Sequence, residues 1–319
     1  MAVTATPRIK VITDKPVRSR KKTLAYIRRA WPMYAMLVPG LILLIIFNYT
    51  PMYGVIIAFE NYNPGLGFIK SPWVGLKNFE FLFSLPTFPQ LIRNTLILAI
   101  GKIVTLQFFA VVLSLLLNEV RVYLFKRVIN AILYLPYFLS WVVLGGILLD
   151  ILASNGIVGQ LLRSMNIPSF IFLGKADFFP YTIVVTNLWK EIGFAVIIYL
   201  AALTGVDPSL QEAAAVDGAN RWQRIWNITL PGMLPTVILI GCLNMGYVLD
   251  GGFDQVVNLY NPGVYSTGDI LDTYVYRAGL ISARYSLAGA VGLFKATIGF
   301  VMALISYRLA AKYAGYHVF

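Results

Sequence analysis

Cysteine and histidine are almost absent from this 319-residue chain, which has one of each, Cys242 and His317. A single cysteine excludes an intramolecular disulfide and any zinc cluster built on thiolates. A single histidine argues against a histidine-ligated metal and against a Ser-His-Asp triad. Charge is scarce as well: 13% of residues are charged, against about 25% in a typical soluble domain. There is no G-x-x-x-x-G-K-[ST] phosphate loop, so the chain does not hydrolyse ATP by itself. What fills the space is apolar. Hydrophobic residues make up 58% of the sequence and the mean hydropathy is +0.73. A soluble fold of this size does not hide so much apolar surface, and disorder needs the opposite composition. The bilayer is the solvent for most of the chain.

The net charge of +12 suggests nucleic acid until its distribution is read. Residues 1–32 hold nine Lys/Arg against one acid, Asp14, and so carry +8 of that total. A basic tail ahead of a hydrophobic run is a cytoplasmic membrane flank, and no nucleic-acid recognition motif accompanies it.

Charge-free runs mark the spans, because a helix needs about 20 apolar residues to cross the hydrocarbon layer. They lie between Arg29 and Glu60, Arg93 and Glu119 (interrupted by Lys102), and Arg127 and Asp150. Three more run from Asp177 to about Leu203 (interrupted by Lys190 and Glu191), Arg224 to Asp250, and Arg284 to Arg308 (interrupted by Lys295). The sequence therefore predicts an all-α polytopic membrane protein with six transmembrane helices. Its parts are a basic tail over 1–32 and one transmembrane domain over 33–319. The first run is too long, and too weakly bounded by small residues, for a cleaved signal peptide. With the N-terminus inside, the inner segments hold sixteen Lys/Arg and the outer segments seven. The positive-inside rule then makes both termini cytoplasmic.

Two segments read as lying on the membrane. Residues 20–31 set Leu24, Ile27 and Trp31 on one helical face among basic residues, which suits either an interfacial helix or a plain basic flank. On the outer side, Trp73, Leu76, Phe79 and Phe83 recur at helical spacing after Pro72. That spacing predicts an amphipathic helix at the external mouth.

The most informative stretch is the inner connection between the fourth and fifth spans, 206-VDPSLQEAAAVDGANRWQRIWNITLPGMLP-235. Asp207 before Pro208 is a good helix start. Gly218 stops that helix, since glycine accepts the left-handed conformation common just past a helix end. Asn220 begins a second short helix through Arg221, Trp222 and Ile225. Any polytopic protein can carry a helical inner loop, but long structured loops are usually functional.

The pattern Glu212-Ala213-Ala214, then Gly218, then Ile228, Leu230 and Pro231 resembles the coupling motif of ABC-importer permeases. The resemblance extends over roughly 33–312 and is to the sugar-importer branch, especially permeases for polysaccharides and complex oligosaccharides, alginate-importing ones among them. It is carried by 51-PMYGVIIAFENYNP-64, 71-SPWVGLKNFEFLF-83, 117-LNEV-120, 134-YLPYFLSWVV-143, 189-WKEIGFAVIIYLAAL-203 and 270-ILDTYVYRAGL-280.

The resemblance implies a non-catalytic translocation subunit of a bacterial cytoplasmic (inner) membrane. Its implied partners are a second, different permease, two ATP-binding subunits that carry the ATP and Mg, and an extracytoplasmic solute-binding protein that delivers a saccharide. This chain itself is implied to bind no cofactor and no metal. The loop 204–230 would dock on the ATPase, with Glu212 as polar anchor, Ala213 and Ala214 as a small close-packing face, and Gly218 as the bend.

A charge at the bilayer centre costs roughly 2.5–3.5 kcal/mol on insertion scales, so Lys102, Lys190 and Lys295 need a reason. One is a polar pathway suited to an acidic or heavily hydroxylated sugar. The other is a structural partner among Glu191, Asp150 and Asp250 on neighbouring helices. Lys190 and Glu191 point about 100° apart on a helix and are not expected to pair with each other. Asp269 and Asp272 form a D-x-x-D pair without the further acids a metal–diphosphate site needs, and Asp269 reads as a helix cap. An ion-coupled secondary transporter would also account for six helices and buried charge, but it leaves the Glu-Ala-Ala loop unexplained. A membrane enzyme lacks a nucleophile–base or metal constellation.

Overall fold

The computed structural model describes residues 20–167 and 171–313, with side chains for 30–167 and 171–312. Most of the basic tail and His317 lie outside the described residues, as do the side chains of Leu24 and Ile27. Two compact units divide the chain between Val55 and Ile56.

The first unit is helical from Arg20. Helix α1 (Arg20–Leu44) contains Pro32 and Pro39, each removing one backbone donor from the helical ladder. A wide π turn, Ile45–Tyr49, follows, and its loosened carbonyls are partly satisfied by side chains: Thr50 Oγ1 donates to Ile45 O at 3.0 Å. The apolar stretch Ala30–Phe59 is long enough to span a bilayer.

The second unit holds the rest. After a short antiparallel bridge between Glu60 and Trp73 come α2 (Lys77–Ser84), α3 (Phe88–Asn118), α4 (Tyr123–Tyr134), α5 (Trp141–Leu152), α6 (Ile157–Ser164) and α7 (Phe179–Leu203). They are followed by α8 (Pro208–Val216), α9 (Arg221–Arg224), α10 (Leu230–Met245), α11 (Phe253–Leu259), α12 (Leu271–Val275) and α13 (Tyr285–Tyr313). Among the described residues six segments have the length and composition of membrane spans, as the charge-free runs predict.

Helix α3 threads the core. It contributes Leu91 to a cluster with Leu82, Leu249, Leu271 and Val291. Leu98 belongs to a second, with Leu144, Phe179, Ile183 and Val256. Ala110 and Leu117 join a third, with Val196, Tyr199 and Met233. Its main neighbour is α7, while α10 packs on α13 and α5 on α11.

Two expectations are corrected. The run between Arg127 and Asp150 is not one span. Pro136 sits in a 3₁₀ turn, Leu135–Phe138, and extended Ser140 caps a new helix by accepting from Val143 N. The third span is Trp141–Ser164, α5 and α6 joined by a bend, and α4 is a separate amphipathic helix. The helix expected at the external mouth is also shorter than its spacing suggests. It begins at Lys77, so Trp73 stands outside it, stacked on Phe59 with centroids 5.6 Å apart. Leu82, absent from that expected stripe, is its fully buried residue.

Candidate functional site

The loop 204–230 folds as its residues dictate. Asp207 is in extended conformation, and Oδ1 accepts from Ser209 N at 2.9 Å. That backbone hydrogen bond holds the exposed carboxyl below its ordinary pKa, because it favours the charged form. Pro208 occupies the first helical position, where no donor is lost. Helix α8 ends in a Schellman arrangement: Ala219 N donates to Ala214 O at 2.9 Å and Gly218 N to Ala215 O at 3.2 Å. Gly218 has φ +80°, the left-handed region this motif requires.

A reciprocal capping box then opens α9. Gln223 N donates to Asn220 Oδ1, and Asn220 N donates to Gln223 Oε1. Glu212, Ala213 and Gly218 are exposed and Ala214 is half-buried. On the other side of α8, Gln211 Nε2 donates to Thr229 Oγ1 at 2.9 Å. The loop helix is thereby tied to the wide π turn Ile225–Thr229 that leads into α10. A displacement of α8 has a direct mechanical route into the fifth span.

The three lysines inside spans have three different environments. Lys102 is buried and donates to Gly251 O at 2.7 Å. That carbonyl lies in the unwound stretch between α10 and α11, where Gly252 is left-handed, so the ammonium satisfies a group the broken helix leaves without a ladder partner. Lys190 is also buried. It donates to Glu191 Oε1 at 3.0 Å and Tyr137 O at 3.3 Å, and its ammonium lies 5.1 Å and 5.4 Å from the rings of Tyr137 and Trp141. The Lys190–Glu191 pair corrects the sequence expectation. Two long flexible side chains bridge the angle that separates their Cα–Cβ bonds.

Lys295 pairs with both oxygens of Asp272, at 2.7 and 2.8 Å. None of Glu191, Asp150 and Asp250 makes that pair. Lys295, Asp250, Tyr247 and Gly246 border an open pocket of about 310 Å³ between the end of α10 and α13.

Asp269 is not a side-chain helix cap. Its carboxylate accepts from Thr273 Oγ1 at 2.7 Å and from both terminal nitrogens of Arg277. The Arg277 guanidinium also lies 4.6 Å from the Tyr265 ring. The two acids of the D-x-x-D pair are thus each neutralised by a different base. Sequence reading missed Arg277, Tyr137 and Trp141 as partners. The aromatic-rich stretch 134-YLPYFLSWVV-143 was the available signal for the last two. Among the described residues no group of acids, histidines and cysteine is placed to hold a metal ion.

Residues 107–314 match the family described as "Binding-protein-dependent transport system inner membrane component". The polygalacturonan/rhamnogalacturonan transport system permease protein YteP of Bacillus subtilis is 37% identical over 308 residues, covering 96% of each chain. A solved bacterial ABC transporter involved in the import of the acidic polysaccharide alginate contains a chain that superposes with a TM-score of 0.85. It is 36% identical and the match covers 92% of this chain and 99% of that one. The same agreement holds for a bacterial alginate ABC transporter in complex with an alginate pentasaccharide-bound periplasmic protein. With more than half its length matched by the family and an end-to-end relative above 30% identity, this chain belongs to the inner-membrane permease components of binding-protein-dependent transport systems.

Proposed function

We propose that this permease imports a large acidic saccharide, of the alginate or polygalacturonan kind, across a bacterial inner membrane, and that ATP hydrolysis on partner subunits drives it. The observation that carries the coupling half is α8: a capped, glycine-stopped helix with Glu212 and Ala213 outward and Gln211 bound to Thr229 on the other side. Such a helix has a face for an ATPase groove and a mechanical tie to a span. The saccharide half is supported by what the relatives and structural neighbours are named for. The working complex is read as this chain, a second and different permease, two ATPases holding ATP and Mg, and an external binding protein. Both termini and the loop 204–230 are read as cytoplasmic, from the distribution of Lys and Arg.

The lysines divide by geometry. Lys295, on the open pocket with Asp250 and Tyr247, is the one proposed to meet substrate. All three lysines have internal acceptors, but Lys102 and Lys190 are buried and are proposed to shape the pathway from behind.

The test is uptake into proteoliposomes by the assembled complex with its binding protein. Uptake of an acidic oligosaccharide is expected to require internal ATP and to persist when ion gradients are collapsed. Uptake that follows an ion gradient without ATP would overturn the coupling reading. Preference for a neutral oligosaccharide over alginate and oligogalacturonate would overturn the acidic substrate.

A further inference from the structure

A second cavity lies away from the proposed pathway. It is a groove of about 380 Å³ whose walls are apolar except for Gln107, bounded by α3, by α9 with the wide turn after it, and by the first turns of α10. Val112, Leu115 and Leu116 form one wall, and Trp222, Trp226 and Leu230 another. Trp222 and Trp226 are 66% and 63% exposed. Gln107 closes the far end, donating to Val237 O at 2.8 Å.

Two arginines, Arg221 and Arg224, alternate with the tryptophans along the chain, each directly preceding a lining residue, Trp222 or Ile225. Neither forms a salt bridge among the described residues. The Nε of Arg224 is buried and has no hydrogen-bond partner among the described residues.

We infer that this groove binds an anionic phospholipid of the inner leaflet, with one acyl chain along α3 and the phosphate at Arg221 and Arg224. The dimensions agree. From Gln107 to Leu116 the groove rises about 14 Å along α3, close to half of a hydrocarbon core of about 30 Å, which is the depth of one leaflet. The chemistry agrees too. Tryptophans favour the headgroup boundary, and each arginine near an anionic surface strengthens binding about fivefold.

A helix of the partner permease is the rival occupant, and the walls argue against it. Helix pairs in membranes approach over small residues, and no Gly, Ala, Ser or Thr lines the groove. The inference rests on the loop being cytoplasmic, which single-cysteine labelling tests separately.

The experiment uses the purified four-subunit complex in nanodiscs of phosphatidylcholine with a trace of photoactivatable phosphatidylglycerol or, separately, photoactivatable phosphatidylcholine. Cross-linked peptides are mapped by mass spectrometry. The phosphatidylglycerol probe is expected to label 107–116 and 221–230 at least tenfold more than the phosphatidylcholine probe. Unlabelled phosphatidylglycerol should compete. Arg221→Gln and Arg224→Gln should each lower labelling about fivefold. Val112→Trp, which fills the groove, should abolish labelling while leaving both arginines in place. Equal labelling by the two probes would reduce the groove to ordinary annular surface and overturn the inference. So would absence of label together with a disulfide between Val112→Cys and the partner permease. The comparison of probes needs only the wild-type complex, so a variant that fails to assemble does not rescue the inference.

Discussion

Lys295 and Asp272 bind each other across two elements at 2.7 and 2.8 Å, with side chains 27% and 20% exposed. Removing one partner leaves a half-buried charge without its counter-charge, a loss of about 2 kcal/mol for a charged hydrogen bond in such a site. Lys295→Gln and Asp272→Asn are each expected to lower the melting temperature of the purified complex. The double variant should be less harmful than the sum of the two. Strict additivity in that cycle would mean the pair contributes nothing. The sequence made the lysine conspicuous but not its partner. Asp272 is 23 residues away, and only the packing of α12 on α13 brings the two together. Lys190 and Glu191 were misjudged for the opposite reason, because helical angles describe where side chains leave the backbone and not where long ones end.

Two glycines set what the elements can do. At φ +80° Gly218 sits where a β-branched residue is strained by roughly 1–2 kcal/mol. Gly218→Val should leave the membrane domain folded yet reduce substrate-stimulated ATPase activity of the complex severalfold. Unchanged stimulation would remove the loop from the coupling route. Gly193 acts through contact instead. A Cβ there would fall on the backbone carbonyl of Leu133 and within 2.9 Å of Tyr134 Cδ1, so α7 meets α4 backbone to backbone only because residue 193 has no side chain. Gly193→Leu should destabilise the complex by about 1–3 kcal/mol, read as a lower melting temperature. At this scale the sequence was legible wherever a local rule acts. The Asp207 cap, the Gly218 stop and the Asn220 restart all stand where they were expected. The third span was misplaced because its charge-free run conceals Pro136 and Ser140, whose backbone effects outrank hydropathy in deciding where a helix ends.

Across the whole molecule the charge distribution predicts an orientation with both termini inside, and a labelling experiment checks it. With Cys242 replaced by serine, Ser209→Cys is expected to react with an impermeant thiol reagent only after the inner membrane is opened. Ser266→Cys should react in right-side-out vesicles. The reverse pattern would invert the topology. Family membership and the number of spans were legible from composition and one loop. The lipid groove was not, because residues 107–116 and 222–237 converge only in the folded bundle.

The π turn between α9 and α10, Ile225–Thr229, also bears on how such a chain tolerates changes in length. A π turn holds one residue more than the α-helix it interrupts. Deleting Asn227, exposed on that turn, would let the ladder close in α register and leave the flanking helical faces nearly where they were. Deleting Leu239 from the interior of α10 would turn every later side chain of that span by about 100° and unmake its packing on α13. Expression of the assembled complex should survive the first deletion and not the second, so the π turn is where homologous chains can gain or lose a residue without re-facing a helix.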